Sequence, residues 1–305
     1  MKKIERCPSC ESKSLQEIFQ CTDHTVSRET FGISECKSCK LLITNPQPEA
    51  NSLGAYYKSE EYISHTNSTK GTFNKLYQLV RKRTLKGKLK MLGKDKGLLL
   101  EIGCGTGELL AECQKSGWTA KGIEPNADAR NLAITNHRLN VLPSIKELNV
   151  TPKSLDRIML WHVLEHIPNL NETLEELADW LKEDGKLFIA VPNPSSWDAK
   201  HYKEAWAAYD VPRHLSHFTR HSMKTLVNKH GLQIKQIKPM WFDAFYVAML
   251  SEKIKGGRAS LLKGAFIGLL SNIFAASARK EFSSLIYIIE HKKRQISRFK
   301  EESTL

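Results

Sequence analysis

No stretch of the sequence is apolar for long enough to cross a bilayer. The longest lipid-like run, Leu261 to Ala276, is broken by Lys263, Ser271 and Asn272. It also falls short of the roughly 20 apolar residues that a spanning helix requires, so no transmembrane segment is expected. The first twenty residues hold charges and a cysteine pair where a signal peptide would hold an apolar run, and a cytoplasmic protein is expected. Acids are scarce beside bases, 33 against 46, and the resulting net charge of +13 points to an acidic partner without identifying one. The 41% hydrophobic and 26% charged content is ordinary for a globular protein and excludes a mainly disordered or fibrous chain. A length of 305 residues suffices for two domains, or for one large core with a small appendage.

Cysteine is nearly absent beyond residue 39; only Cys104 and Cys113 lie there. Before it stand two pairs, Cys7-Pro-Ser-Cys10 and Cys36-Lys-Ser-Cys39, separated by 25 residues. Two such turns can present four thiolates to one tetrahedral zinc, while disulfides do not suit an intracellular chain and a thioredoxin-type motif would need only one pair. Zinc bound by Cys7, Cys10, Cys36 and Cys39 is the expectation, with Cys21 and Cys113 as small core residues. From Lys70 to Lys96 there are ten Lys or Arg against one acid, Asp95. Phe73, Leu76, Tyr77 and Val80, then Leu85, Leu89 and Leu92, recur at helical spacing, so this stretch reads as an amphipathic helix with a basic face. Such a face is either simply solvated or draws in a phosphate-bearing substrate, nucleic acid or an anionic membrane.

Beyond the basic helix, apolar runs alternate with amphipathic segments: strands near 98–102, 119–124, 139–142, 156–161 and 186–191, with helices near 108–116, 126–136 and 170–181. That alternation predicts a doubly wound, mostly parallel sheet, whose ligands bind at the carboxyl ends of the strands. Gly103-Cys104-Gly105-Thr106-Gly107 follows the first strand. Glu108 stands where a dinucleotide fingerprint would place a third glycine or alanine, and no P-loop lysine follows. Glu101 would repel a diphosphate but suits a cation, and Glu124 can accept from both ribose hydroxyls. A nucleoside without phosphate, bearing an ammonium and a sulfonium, fits these charges: S-adenosylmethionine.

Glu101-Ile-Gly-Cys-Gly-Thr-Gly107, Gly122-Ile-Glu-Pro125 and Trp161-His-Val-Leu-Glu-His-Ile-Pro168 together resemble the successive motifs of class I S-adenosylmethionine-dependent methyltransferases. The resemblance implies a Rossmann-like seven-stranded α/β sheet with its last strand, near Ser284 to Glu290, antiparallel. It further implies that Gly103, Cys104, Gly105 and Gly107 line the methionine moiety and that Glu101 lies near its amino group. Glu124 and Pro125 would serve the ribose, Ser144 and Ile145 the adenine, and Trp161 and His162 the sulfonium. The expected organisation is a zinc-ribbon-like domain over 1–48, a linker and basic helix over 49–96, and a methyltransferase domain over 97–305. An insertion at about 240–280 is expected to form a helical lid, with peripheral lipid contact among its possible roles.

Methyl transfer to a hydroxyl or a carbon acid needs a base, and histidine suits that task. The segment Tyr209-Asp-Val-Pro-Arg-His-Leu-Ser-His-Phe-Thr219, with cysteine knuckles upstream, resembles the deoxysugar C-methyltransferases, whose Tyr-x-Glu-His-Leu-Ser-Tyr-Phe segment carries a basic histidine. His214 matches that histidine, whereas Val211 and Arg213 replace the Tyr and Glu; His166 is the second candidate. Arg213 is expected at the pocket rim, where it would pair with a substrate anion. The leading expectation is O- or C-methylation of a small anionic acceptor, such as a nucleotide-linked sugar or surface-polysaccharide precursor. An RNA-modifying enzyme would use the zinc domain and basic helix as its platform, but His-Val-Leu-Glu-His is not the Asn/Asp-Pro-Pro-Tyr/Phe type used on base amines, and no stacking aromatics alternate with the basic residues. A non-catalytic zinc and S-adenosylmethionine binding protein is the third reading, opposed by the intact motifs and histidines.

Overall fold

A computed structural model describes residues 1–49, 51–57, 72–256 and 260–293, without side-chain detail for 72–79 and 278–279. The expected apolar runs at Phe73, Leu76 and Tyr77, and most of the charged tail after His291, therefore lie outside the described side chains. Seven strands form the main sheet: β4 (Leu98–Ile102), β5 (Thr119–Ile123), β6 (Val141–Leu142), β7 (Leu155–Trp161), β8 (Leu181–Pro192), β10 (Leu232–Pro239) and β11 (Ser284–His291). Their order is β10-β11-β8-β7-β4-β5-β6. Pairing among β8, β7, β4, β5 and β6 is parallel, and β11 runs antiparallel to both β8 and β10. This is the class I methyltransferase sheet with its last strand reversed. Leu99, Leu100, Ile158 and Leu160 are buried, as in a sheet covered on both faces by helices.

The chain reverses direction through helices. These are α1 (Thr72–Leu92), α2 (Glu108–Lys115), α3 (Ala127–His137), α4 (Leu170–Trp180), α5 (Trp197–Tyr202) and α6 (Arg220–Lys229). Asn126 caps α3 by accepting from Ala129 N, and Thr219 caps α6 by accepting from Ser222 N, each satisfying an otherwise orphaned amide. The insertion is a helical hairpin, α7 (Asp243–Gly256) and α8 (Leu261–Phe274). The strand expected at 186–191 begins earlier, at Leu181, because Leu181 pairs with Leu155 before the register shifts and Lys186 meets Arg157. Residues 182–185 therefore bulge out of the ladder rather than form a separate turn.

A smaller antiparallel sheet holds β1 (Leu15–Thr22), β2 (Thr30–Cys36), β3 (Leu42–Thr44) and β9 (Ser216–His217), in that order. The fourth strand belongs to the distal part of the chain: Leu42 pairs with His217 and Ile43 with Ser216. Thr44 donates its amide to Leu215 O (3.1 Å) and its hydroxyl to His214 O (2.6 Å), while Leu215 donates to Glu165 O (2.8 Å). Cys36, Cys39, Leu41 and Ile43 share one core with Leu160, Leu164 and Phe218. The amino-terminal sheet is thus stitched onto the turn that follows β7.

Candidate active site

The glycine loop follows β4 and is fastened to the end of β5, since Gly103 and Cys104 both donate amides to Ile123 O. Gly105 has φ +55°, and a side chain there would meet nothing within 4 Å, so the loop needs glycine for its backbone conformation and leaves open space beside it. Glu124, just past β5, accepts from Gly105 N (2.8 Å) and from Asn126 N (2.9 Å), which holds its carboxylate beside the loop. Pro125 follows it, its carbonyl and that of Glu124 both accepting from Arg130. Ser144 and Ile145 lie half-buried at the carboxyl end of β6, where Ser144 opens a short turn.

Glu101 is buried, and its Oε2 has no hydrogen-bond partner among the described residues. Burial pushes its carboxyl up to about 8, opposed by the amine of Lys88. Lys88 comes from α1, and its Nζ lies 4.1 Å from the centroid of the Trp161 ring. Burial pushes its amine down, while Glu101 and Asp243 draw it toward the charged form. A buried carboxylate, a second carboxylate and an aromatic face therefore converge on one cation. That donor set fits a ligand carrying an ammonium and a sulfonium, and the orphaned Glu101 oxygen supplies it with a partner.

At the end of β7 the backbone turns sharply at His162, φ +55°. His162 Nε2 lies 3.1 Å from Asp243 Oδ2 on α7, and Nδ1 lies 3.3 Å from Glu165 Oε1. Burial opposes its charge, but the two carboxylates prevail and raise the imidazole to about 10, so it is a cation at neutral pH. Glu165 is itself buried, yet the hydrogen bond and charge of His162 hold its carboxyl below the ordinary value. Its Oε2 has no hydrogen-bond partner among the described residues.

His166 and His214 meet edge to face beside Glu165, ring centroids 4.6 Å apart. His214 Nδ1 lies 2.9 Å from Ala208 O, and His166 Nδ1 lies 3.0 Å from Arg213 O. A carbonyl only accepts, so each Nδ1 carries the hydrogen and Nε2 is the nitrogen left to exchange a proton. Burial and the adjacent His214 push His166 down to about 4, leaving it neutral. Ligand-capable atoms of Glu165, His166 and His214 lie within 4.8 Å of one another, a set that could also hold a metal ion. A cavity of about 450 Å³ is lined among others by Arg28, Glu204, Asp210, Arg213 and Lys253, and not by Glu165, His166 or His214 themselves. It reaches Asp210, whose Oδ2 is 3.9 Å from His214 Nε2.

Arg213 does line this cavity, but it is not free to pair with a substrate anion. It is buried and donates to Asp23 Oδ1 (3.0 Å) and Asp210 Oδ1 (2.6 Å), so its charge is already balanced within the protein. A guanidinium enclosed by two carboxylates has little left for a substrate anion. His217, 4% exposed, lies in β9 with Nε2 3.2 Å from Thr44 Oγ1. In the amino-terminal sheet, Cys7, Cys10, Cys36 and Cys39 bring their sulfurs within 4.8 Å of one another. Cys7 Sγ is 3.5 Å from Cys39 Sγ, and Cys10 Sγ is 3.5 Å from Cys36 Sγ. A zinc tetrahedron with arms of about 2.3 Å has sulfur–sulfur edges of about 3.8 Å, so the four fit that ion with a slight expansion.

Three members of the site went unnamed in the sequence. Lys88 was hidden within a run of surface-like basic residues, and Asp243 within an insertion that has no motif. Glu165 sits inside the Trp161–Pro168 motif, in the short helical turn Leu164–His166, where an acid set between His162 and His166 was the available signal.

A seven-stranded sheet with its last strand reversed, and a glycine loop with acidic partners at the ends of β4 and β5, defines a class I methyltransferase. The chain belongs to the methyltransferase domain family, which matches residues 74–237. Among curated proteins it is 35% identical over 106 residues to a ubiquinone biosynthesis O-methyltransferase of Glaesserella parasuis, covering 31% of this chain and 45% of that protein. It is 28% identical over 151 residues to the C-methyltransferase NovU of Streptomyces niveus, covering 47% of this chain and 34% of that protein. The chain thus spans less than half the length of either relative. A solved magnesium protoporphyrin IX methyltransferase from Synechocystis with bound SAH shares the fold, with TM-score 0.52 and 12% identity, covering 80% of this chain and all of that one.

Proposed function

We propose that the chain transfers a methyl group from S-adenosylmethionine to a hydroxyl or an acidic carbon of a small polar acceptor. The observation that carries the cofactor is Glu101, a buried carboxylate with an unpaired oxygen at the mouth of the glycine loop. When bound, S-adenosylmethionine supplies the methyl group on a sulfonium. Glu101 and the Gly103–Gly107 loop hold the methionine end, Glu124 the ribose, Ser144 and Ile145 the adenine, and Trp161 the side nearest the sulfur. Lys88 must withdraw from Trp161 as the cofactor's own cation arrives, since two cations cannot share that face.

His214, with His166 beside it, takes the acceptor's proton on an Nε2 lone pair. The tautomer is set by the carbonyls of Ala208 and Arg213. The His162 cation, held between Asp243 and Glu165, orients the acceptor and stabilises the oxyanion that forms. The charged lining of the cavity at Arg28, Glu204 and Lys253 supports a polar acceptor, in keeping with a sugar. The four cysteines hold a structural zinc, since a closed thiolate site leaves no open coordination position.

Two substitutions test the reading. His214→Asn should leave S-adenosylmethionine binding intact by calorimetry while transfer to the acceptor falls roughly 10²–10⁴-fold, the usual weight of a general base. His166→Asn should fall less. If both variants keep full activity, the acceptor is an amine that needs no base; if the native chain retains a second divalent ion that both variants lose together with activity, the cluster is a metal site instead.

A further inference from the structure

The α7–α8 hairpin is built inside out for a helix pair in water. Gly264 of α8 abuts the backbone of Met249, and Gly268 abuts that of Phe245, so small residues face α7. The polar side chains of α8 also turn inward: Ser271 donates to Asp198 (2.7 Å) and Asn272 donates to Trp241 O (2.8 Å). What faces outward is large and apolar. Leu262 is 86% exposed, Phe266 61%, Leu269 50% and Ile273 54%. Their spacing of three and four places them on one stripe, flanked by exposed Leu261 and Phe274. A contiguous apolar face of this kind marks an interaction site, and a small-xxx-small seam is how helices pack when their outer faces meet lipid.

The charges around the stripe select its occupant. Exposed Lys255 and Lys263 stand at one end of α8 and exposed Lys280 beyond the other. The hairpin's acids point inward instead: Asp243 to His162 Nε2 (3.1 Å) and Glu252 to the hydroxyl of Tyr202 (3.0 Å). No helix among the described residues is long and apolar enough to cross a membrane. We propose that α8 docks in the plane of an anionic lipid bilayer, its apolar stripe in the acyl boundary and its lysines on the headgroups. A second copy of the chain fits less well, because an isologous contact across this face would bring the lysines of the two copies together. The proposal stands on the hairpin alone and does not depend on the methyl acceptor. Its consequence for the enzyme is positional, since Asp243 opens the same hairpin and holds His162 in the site.

Vesicle sedimentation with the full chain tests it, comparing phosphatidylcholine vesicles containing phosphatidylglycerol with vesicles of phosphatidylcholine alone. Binding to the anionic vesicles is expected, roughly a hundredfold weaker without phosphatidylglycerol if all three lysines meet headgroups. The double variant Leu262→Ser, Phe266→Ser changes only exposed residues and should bind anionic vesicles at least about tenfold more weakly. Its S-adenosylmethionine affinity by calorimetry should be unchanged, which reports that it is folded. No vesicle binding by the native chain, or undiminished binding by a folded double variant, overturns the proposal. A lipid-free dimer that dissociates in the double variant would assign the face to a second copy. Loss of cofactor binding in the native chain would count against the proposed function and not against docking.

Discussion

At the residue scale, the proposed cofactor site turns most on Glu101. Its carboxyl is raised to about 8 from 4.5 because burial removes water that the charged form needs, and Lys88 offsets this only in part. The folded chain therefore holds a proton that the unfolded chain releases near 4.5. That stabilisation is fully present below about 4.5 and is lost as pH rises through about 8. A cationic ligand favours the ionised carboxylate, so S-adenosylmethionine affinity should strengthen as pH rises toward and through about 8. In Glu101→Gln the affinity should be lower and flat over that interval, and the unfolding temperature less sensitive to pH. Calorimetry at several pH values measures both; an unchanged pH slope in Glu101→Gln would place the cation elsewhere.

At the scale of elements, β9 is the piece that joins the two sheets, and it is only two residues long. It pairs with β3 across more than 170 positions of sequence and fixes the backbone of His214 through Thr44. Loss of the four-cysteine centre should therefore reach the site. Cys36→Ser should eliminate zinc by elemental analysis, loosen β1 to β3, and lower the transfer rate while cofactor affinity, set by β4 and β5, persists. Protein purified without chelator that holds no zinc would remove the premise. Strands β4, β5 and β7 were legible because their apolar runs and the turns between them are local signals, whereas β11 was implied only by the family resemblance. The meeting of Gly105 and Glu124 was legible for a related reason, as both lie in compact motifs at strand ends. β9 was not, since a two-residue strand has no periodicity and its partner is remote. Arg213 misled for the same reason: a lone arginine between prolyl and histidyl neighbours looks exposed until Asp23 is brought to it from 190 residues away.

For the molecule as a whole, that Asp23–Arg213 contact is a buried tie between the amino-terminal sheet and the catalytic half. Side chains at both ends are almost fully enclosed, 0% and 2% exposed, with Asp210 as a third member. Asp23 also accepts from the amides of Thr25, Val26 and Ser27 and from the Ser27 hydroxyl. Burial works against its charge, but Arg213 and these amides prevail and lower the carboxyl to about 2 from 3.8. The depressed value gives stability that is present above about 3.8 and lost as pH falls toward about 2. Asp23→Ala leaves a buried guanidinium short of one partner and should destabilise the fold by about 3–5 kcal/mol, the usual cost of breaking a buried pair from one side. Asp210 keeps part of the charge balanced, so the lower end of that range is expected. Replacing both Asp23 and Arg213 by apolar residues of similar size should recover part of the loss, because no buried charge is then stranded. Denaturant unfolding of the single and double variants, followed at neutral pH and in acid, measures the coupling. If Asp23→Ala costs nothing at neutral pH, the tie is not what holds the amino-terminal sheet to His214, and β9 alone carries that task.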